Sequence, residues 1–237
     1  MHRLFETALE DVVTLSKEAS HHLSVVRPKN GEEIELFDGK GRVRTYKVES
    51  QKAPLVATGE VRNVERQKTE ITLFACVTKG SRWDWTIEKA VELGATRIVP
   101  VISDRSIVRL AANERPAKAE RWRRVALDAA RQSDAAWLPE IVEAVDFEDS
   151  LKIVKDCDVV FTGALTNPPP KSFLDELNAQ KDLSSVGVFV GPEGDFTPQE
   201  MEALLSCTIP VTFGPTILRA ETAAIFALSV LSAFFRK

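Results

Sequence analysis

The spacing of hydrophobic positions changes near residue 70. Before it, apolar residues come in short alternating runs. Ile34-Glu35-Leu36-Phe37 enters the turn Asp38-Gly39-Lys40-Gly41, and Val43, Thr45 and Val48 follow at near-strand spacing, which predicts a β-hairpin. Leu55 to Val64 predicts another strand, so residues 1–70 read as a small β-rich module of strands and turns. The polar stretch from Glu65 to Glu70 marks its end as a linker or domain seam.

From Ile71 onward, strand and helix periods alternate. Ile71–Val77, Arg97–Val101, Asp158–Phe161, Val186–Val190 and Ile209–Phe213 are apolar runs of buried-strand length. Between them, Ser81 and Asp84 predict a capping box ahead of a helix whose apolar face is Ile87, Ala90 and Val91 and whose stop is Gly94. A second helix opens near Pro116 and buries Trp122, Val125, Ala126 and Ala129. A third has Thr197 as cap, Pro198 at its first position and Glu200 as box partner. Strand and helix in alternation predict an α/β domain with a mainly parallel sheet. The last helix, Glu221 to Phe235, carries apolar residues around its whole circumference, which fits either burial in a deep core or contact with a second copy.

Composition narrows the class. Of 237 residues, 44% are hydrophobic and the formal charge is −4, as in ordinary globular chains. Cys76, Cys157 and Cys207 lie far apart and far from His2, His21 and His22, so no zinc spacing is present and no metal site is expected. The start has no apolar leader core, and the odd cysteine count fits a reducing compartment, so a cytoplasmic location is expected. Ala223 to Phe235 falls short of the ~20 residues of a membrane span.

Charge is unevenly spread: residues 1–70 carry 12 basic and 12 acidic groups, residues 71–134 carry 12 and 8, and residues 135–237 carry 7 and 15. The basic excess lies in Arg105, Arg109, Arg115, Lys118, Arg121, Arg123, Arg124 and Arg131. Such a stripe is either a solvated helix face or a polyanion surface, and its preference for arginine favours phosphate, which the planar guanidinium fork binds bidentately.

Two loops follow the final strands. Gly191-Pro192-Glu193-Gly194-Asp195 combines glycines, which let a ligand approach the backbone, with carboxylates that accept hydrogen bonds; taken alone it reads more readily as an ordinary turn. Phe213-Gly214-Pro215-Thr216-Ile217-Leu218-Arg219-Ala220-Glu221-Thr222 runs into the last helix, where Glu221 would also serve the helix dipole. Both leave the carboxyl ends of strands, where open α/β sheets bind ligands. Nucleophile-elbow, Walker and dinucleotide glycine motifs are all absent.

The order His22, Val25-Val26-Arg27, Leu36-Phe37-Asp38-Gly39, Glu88-Lys89-Ala90-Val91-Glu92-Leu93-Gly94, Gln132-Ser133, Leu138-Pro139, Gly191-Pro192-Glu193-Gly194 and Leu218-Arg219-x-Glu221-Thr222 resembles the RsmE family of 16S ribosomal RNA (uracil-N3)-methyltransferases, in the SPOUT superfamily. The resemblance runs from about residue 3 to residue 235. It implies a PUA-like β-barrel domain for RNA over residues 1–70 and a trefoil-knotted α/β methyltransferase domain over residues 71–237, working as a homodimer on 16S rRNA within the 30S subunit.

By the same resemblance, S-adenosylmethionine would be held by Leu165, Gly191, Glu193, Gly194, Phe213, Gly214, Ile217 and Leu218. Arg219 and Glu221 would be catalytic, and His22, Arg27, Arg121 and Arg124 would touch RNA. Uracil N3 carries a proton, so transfer needs a base as well as alignment; Glu221 is a candidate base and Arg219 a candidate oxyanion stabiliser, and the sequence decides neither role. The chain departs from the usual family pattern at Ala135, Asp195, Thr216 and Ala220. The alternatives are another methyl-transfer chemistry of the superfamily, such as ribose 2′-O transfer, or an RNA-binding or ribosome-assembly protein without turnover.

Overall fold

The computed structural model describes residues 1–50 and 53–235. It divides into two compact units, Met1–Arg66 with Leu127–Leu138, and Gln67–Ala126 with Pro139–Lys237.

In the first unit β1 (His2–Phe5), β2 (Val12–Val13), α1 (Lys17–Val26), β3 (Glu33–Phe37), β4 (Arg42–Lys47), β5 (Leu55–Ala57) and β6 (Arg62–Asn63) follow in order. Its sheet runs β1-β3-β4-β5-β2, with β6 on β4. The hairpin forms where the alternation places it, Ile34 opposite Tyr46 and Phe37 opposite Val43, and its inward positions join Leu4, Leu23 and Leu55 in the core. The helix α1 is a correction to the strands-and-turns reading. Ser16 caps it by accepting the Ala19 amide at 3.2 Å, and only Ala19 and Leu23 are buried, one turn apart. Two buried residues among histidines and β-branched valines leave little helical signal in the sequence.

Residues 127–138, which a division at residue 70 places with the second domain, pack with the first. The amide of Gly41 donates to Ala136 O at 3.0 Å, that of Leu138 to Gly39 O at 2.9 Å, and Trp137 Nε1 to Val64 O at 2.9 Å.

The second unit comprises β7 (Glu70–Cys76), α2 (Ser81–Glu92), β8 (Arg97–Ile102), the first part of α3 (Arg115–Ser133), β9 (Glu140–Ile141), β10 (Val145–Asp146), α4 (Phe147–Ile153), β11 (Val159–Gly163), α5 (Phe173–Asn178), β12 (Ser185–Val190), α6 (Pro198–Leu205), β13 (Ile209–Val211) and α7 (Ala220–Phe235). Its strands pair in parallel in the order β10-β8-β7-β12-β11-β13, with β9 on β8. The centre is aromatic: Phe74 and Phe189 stack at 5.3 Å across β7 and β12, and Phe147 and Phe196 extend the cluster. The five strands expected after residue 70 all form.

Helix ends follow local chemistry. At α6, Thr197 and Glu200 form the reciprocal box expected of them. At α2 the expected Ser81/Asp84 box does not form: Gly80 is the cap, Ser81 is already helical, and the Asp84 carboxylate is taken by Arg121. The helix α7 packs against β12, β7 and α2, although the strand before it, β13, lies at the sheet's edge beside β11. No helix among the described residues is long and apolar enough to cross a membrane.

Candidate active site

The adjacent strands β12, β11 and β13 end at the same edge of the sheet, and the loops that leave them enclose a cleft of roughly 290 Å³. Gly163, Ala164 and Leu165 come from the end of β11, and Val190 to Glu193 with Asp195 from the end of β12. Thr212 to Gly214, Thr216 to Arg219, and Ala220 and Ala223 of α7 close the third side. The cleft therefore gathers seven of the residues marked in the sequence as cofactor contacts, with Arg219 beside them; Gly194 is not on its wall, while its neighbour Asp195 is. The contribution of Gly163 and Ala164 was not foreseen. Its only signal is the turn-rich run Thr166 to Pro170 behind a strand of a parallel sheet.

Two glycines keep the wall thin. A Cβ on Gly163 would stand 2.5 Å from the Phe213 ring, and one on Gly191 2.9 Å from the Phe196 ring. Both rings are fixed from behind. Phe213 packs on Phe173 and Phe226 at 5.7 and 5.6 Å, and Phe196 on Phe189 and Phe147 at 5.7 and 5.8 Å. Backbone is thus laid directly over aromatic rings, which leaves amide and carbonyl groups to face a ligand.

The charges are few and distinct. Glu193 Oε1 meets Arg82 Nη1 of α2 at 3.1 Å. Asp195 holds a left-handed conformation at φ 58, its amide donating to Pro192 O at 3.0 Å and its Oδ1 accepting the Phe196 amide at 2.8 Å. Arg219 is exposed at the rim. Glu221 is not on the cleft wall: it is 6% exposed in the first turn of α7, and its Oε2 has no hydrogen-bond partner. Of the buried nucleophiles, Cys76 is inert, because burial pushes its thiol up to about 12.

A family model described as an RNA methyltransferase domain matches residues 65–232, and one described as an RNA methyltransferase PUA domain matches residues 15–56. The chain belongs to the RNA methyltransferase domain family. Among relatives of this family, it is 28% identical over 242 residues to ribosomal RNA small subunit methyltransferase E of Bacillus subtilis, covering 97% of this chain and 93% of the relative. The crystal structure of the protein of that name from Neisseria gonorrhoeae, bound to S-adenosyl methionine, superposes with a TM-score of 0.85 at 29% identity, covering 99% of this chain and 98% of that one. A Legionella pneumophila protein in complex with the bound cofactor SAM gives 0.84 at 28% identity, covering 98% and 97%.

For an RNA methyltransferase, the basic stripe is the natural place to look for substrate contacts, yet most of its guanidiniums are engaged within the protein. Arg109 donates to Ser103 O and Asp104 O, Arg115 to Asp146 and Ala144 O, and Arg123 to Ile141 O. Arg121 closes bidentately on Asp84, and Arg131 bridges Asp128 and Glu18. Among the described residues, Lys118 and Arg124 remain without an ion pair or hydrogen bond, both exposed and on one ridge of α3 with Arg121. In the first unit, Arg27 is exposed at the left-handed end of α1 (φ 52), while His22 is half-buried. Burial, and then the Arg131 cation, hold the His22 imidazole below its ordinary value.

Proposed function

We propose that this protein transfers the methyl group of S-adenosylmethionine to N3 of a uridine in 16S ribosomal RNA, acting on the 30S particle. The observation that carries the reading is the cleft: three loops from the carboxyl ends of adjacent parallel strands, walled by backbone over fixed aromatic rings, with the carboxylates of Asp195 and of Glu193, the latter paired with Arg82, on its wall. A cofactor bearing a sulfonium, an amino group and an adenosine fits this donor and acceptor set.

Bound there, S-adenosylmethionine would supply an electrophilic methyl group. The protein's part is orientation and charge. Leu165, Gly191, Glu193, Phe213, Gly214, Ile217 and Leu218 hold the cofactor, with Gly194 shaping the loop behind them. Arg219, at the rim, stabilises negative charge on a uracil carbonyl oxygen as N3 loses its proton. To Glu221, in the first turn of α7 and two residues beyond Arg219, we assign the proton-accepting carboxylate.

RNA contacts are assigned to Arg27 and His22 in the first unit and to Arg124 in the second, with Arg121 beside it contributing only if it gives up its pair with Asp84. We read the return of the chain from β13 across the neighbouring loops to α7 as the trefoil knot, and the exposed Trp85 and Phe226, on the packed helices α2 and α7, as part of the homodimer contact. With ribosomal RNA as substrate, the protein works in the cytoplasm.

The deciding experiment methylates 30S particles with labelled cofactor, then digests the RNA and separates the nucleosides by mass. Label on the uracil base is expected. Label on ribose would overturn the N3 assignment, and no transfer would overturn catalysis.

A further inference from the structure

The cleft wall formed after β12 is fastened by residues that do not line it. β12 and β8 are not neighbours in the sheet, because β7 lies between them. Even so, the segments leaving their carboxyl ends are stitched together. Arg105 Nη1 donates to Gly194 O at 3.2 Å and to Phe196 O at 3.3 Å. Glu200, 6% exposed, accepts the Asp104 amide on Oε1 at 2.8 Å and the Thr197 amide on Oε2 at 2.8 Å. The contact is close as well as polar, since a Cβ on Gly194 would lie 3.3 Å from the Arg105 Cβ.

We infer that Arg105 and Glu200 are positioning residues for the cofactor: they hold the Gly191–Phe196 loop in the shape that receives it, and Arg105 acts on the loop rather than on RNA phosphate. This rests on the reading of the cleft as the S-adenosylmethionine site. The chemistry follows from which atoms are used. Carbonyls carry no formal charge and accept from any well-placed N–H, so a guanidinium that bridges two of them through one nitrogen acts as a point donor rather than a planar fork. A lysine ammonium is also a point donor. Lysine should therefore replace Arg105 well here, although it would replace it poorly at a bidentate phosphate contact. Glu200 reaches the same loop from the helix side, because the oxygen that completes the α6 cap and the oxygen that holds Asp104 belong to one carboxylate. Glu200→Gln leaves one acceptor where two are in use.

The test uses the full chain and the variants Arg105→Ala, Arg105→Lys, Glu200→Gln and Gly194→Ala, each checked for a cooperative thermal melt. Calorimetry gives the affinity for S-adenosylmethionine, and methylation of 30S particles gives KM for cofactor and for RNA separately. Arg105→Ala is expected to weaken cofactor binding about tenfold or more and to raise the cofactor KM in step, with kcat at saturating cofactor reduced less than about threefold and the RNA KM unmoved. Arg105→Lys should recover most of that loss, and Glu200→Gln and Gly194→Ala should shift the cofactor KM in the same direction. Normal cofactor affinity in Arg105→Ala overturns the inference, as does a rise in the RNA KM that lysine fails to rescue, which would return Arg105 to the phosphate surface. Failure of the unaltered chain to bind S-adenosylmethionine overturns the reading of the cleft and this inference with it. A normal unaltered chain beside insensitive variants overturns the inference alone.

Discussion

One methyl group is enough to probe the cleft wall. Gly163→Ala would set a Cβ 2.5 Å from the Phe213 ring, which is held by Phe173 and Phe226 and can yield only by moving the wall. Overpacking of this kind costs about 1–3 kcal/mol, so the variant should fold with a lowered melt and bind S-adenosylmethionine at least about tenfold more weakly, as calorimetry beside thermal denaturation will show. Unchanged affinity would mean that Phe213 does not shape the site. In the first unit, Arg27 and His22 separate by charge. Burial and the Arg131 cation depress the His22 pKa, so the ring is neutral at neutral pH; the stability linked to it is complete above the unfolded value of about 6.5 and is lost as pH falls through the lower folded value. Replacing Arg27 by Gln should therefore reduce the salt slope of RNA binding by about one counterion, whereas His22→Gln should leave the slope unchanged at pH 7.5. Filter binding across a salt series measures both. Equal slope changes would place positive charge on His22 and contradict its burial.

At the scale of elements, what could be read from the sequence depended on whether the signal was local. The strands from Ile71 onward stood out as short apolar runs, and the α6 cap because Thr197, Pro198 and Glu200 complete it among themselves. The α2 box failed because Asp84 finds a cation on another helix, Arg121, which spacing along one helix cannot reveal. Most of the cleft was legible because the loops after β12 and β13 carry unusual glycine and charge patterns. Its fastening was not, since Arg82, Arg105 and Glu200 act across strands distant in sequence. The opening turn of α7 bears a sharper test. A carboxylate there gains from the helix dipole, up to about 1 kcal/mol, but Glu221 is buried with an unpaired oxygen, which costs a comparable amount or more. Glu221→Gln should thus leave the thermal midpoint nearly unchanged or raised, while single-turnover methylation drops about 10²-fold or more if the carboxylate accepts the N3 proton. A lowered midpoint with normal turnover would make Glu221 a structural residue of the helix start.

For the whole molecule, the decisive fact is that the two compact units are not two consecutive stretches of chain. Residues 127–138 belong with the first, where Leu127, Ala129, Ala130 and Ala136 are buried and where Trp137 and the carbonyls of Ala135 and Ala136 find partners in Val64, Arg3 and Gly41. Hydrophobic periodicity could not announce this, because an apolar helix face looks the same whichever unit covers it. A fragment of residues 67–237 keeps every cleft residue together with Arg82, Arg105 and Glu200, yet strips Leu127–Leu138 of those partners. Buried polar groups left without partners cost about 1–3 kcal/mol each, and the uncovered apolar side chains add to that. The fragment is therefore expected to melt well below the full chain and to bind a hydrophobic dye, while holding S-adenosylmethionine within a few-fold of normal affinity at low temperature. In the full chain, Trp137→Ala should lower the melt in the same direction without touching cofactor affinity, because the contacts it removes, with Val64 O, Gly41 and the Arg66 guanidinium, all lie in the first unit. Calorimetry and thermal denaturation of both proteins decide the matter. A fragment that melts like the full chain would show that residues 127–138 do not depend on residues 1–66. A folded fragment that binds no cofactor would show that the cleft needs more than the residues that line it.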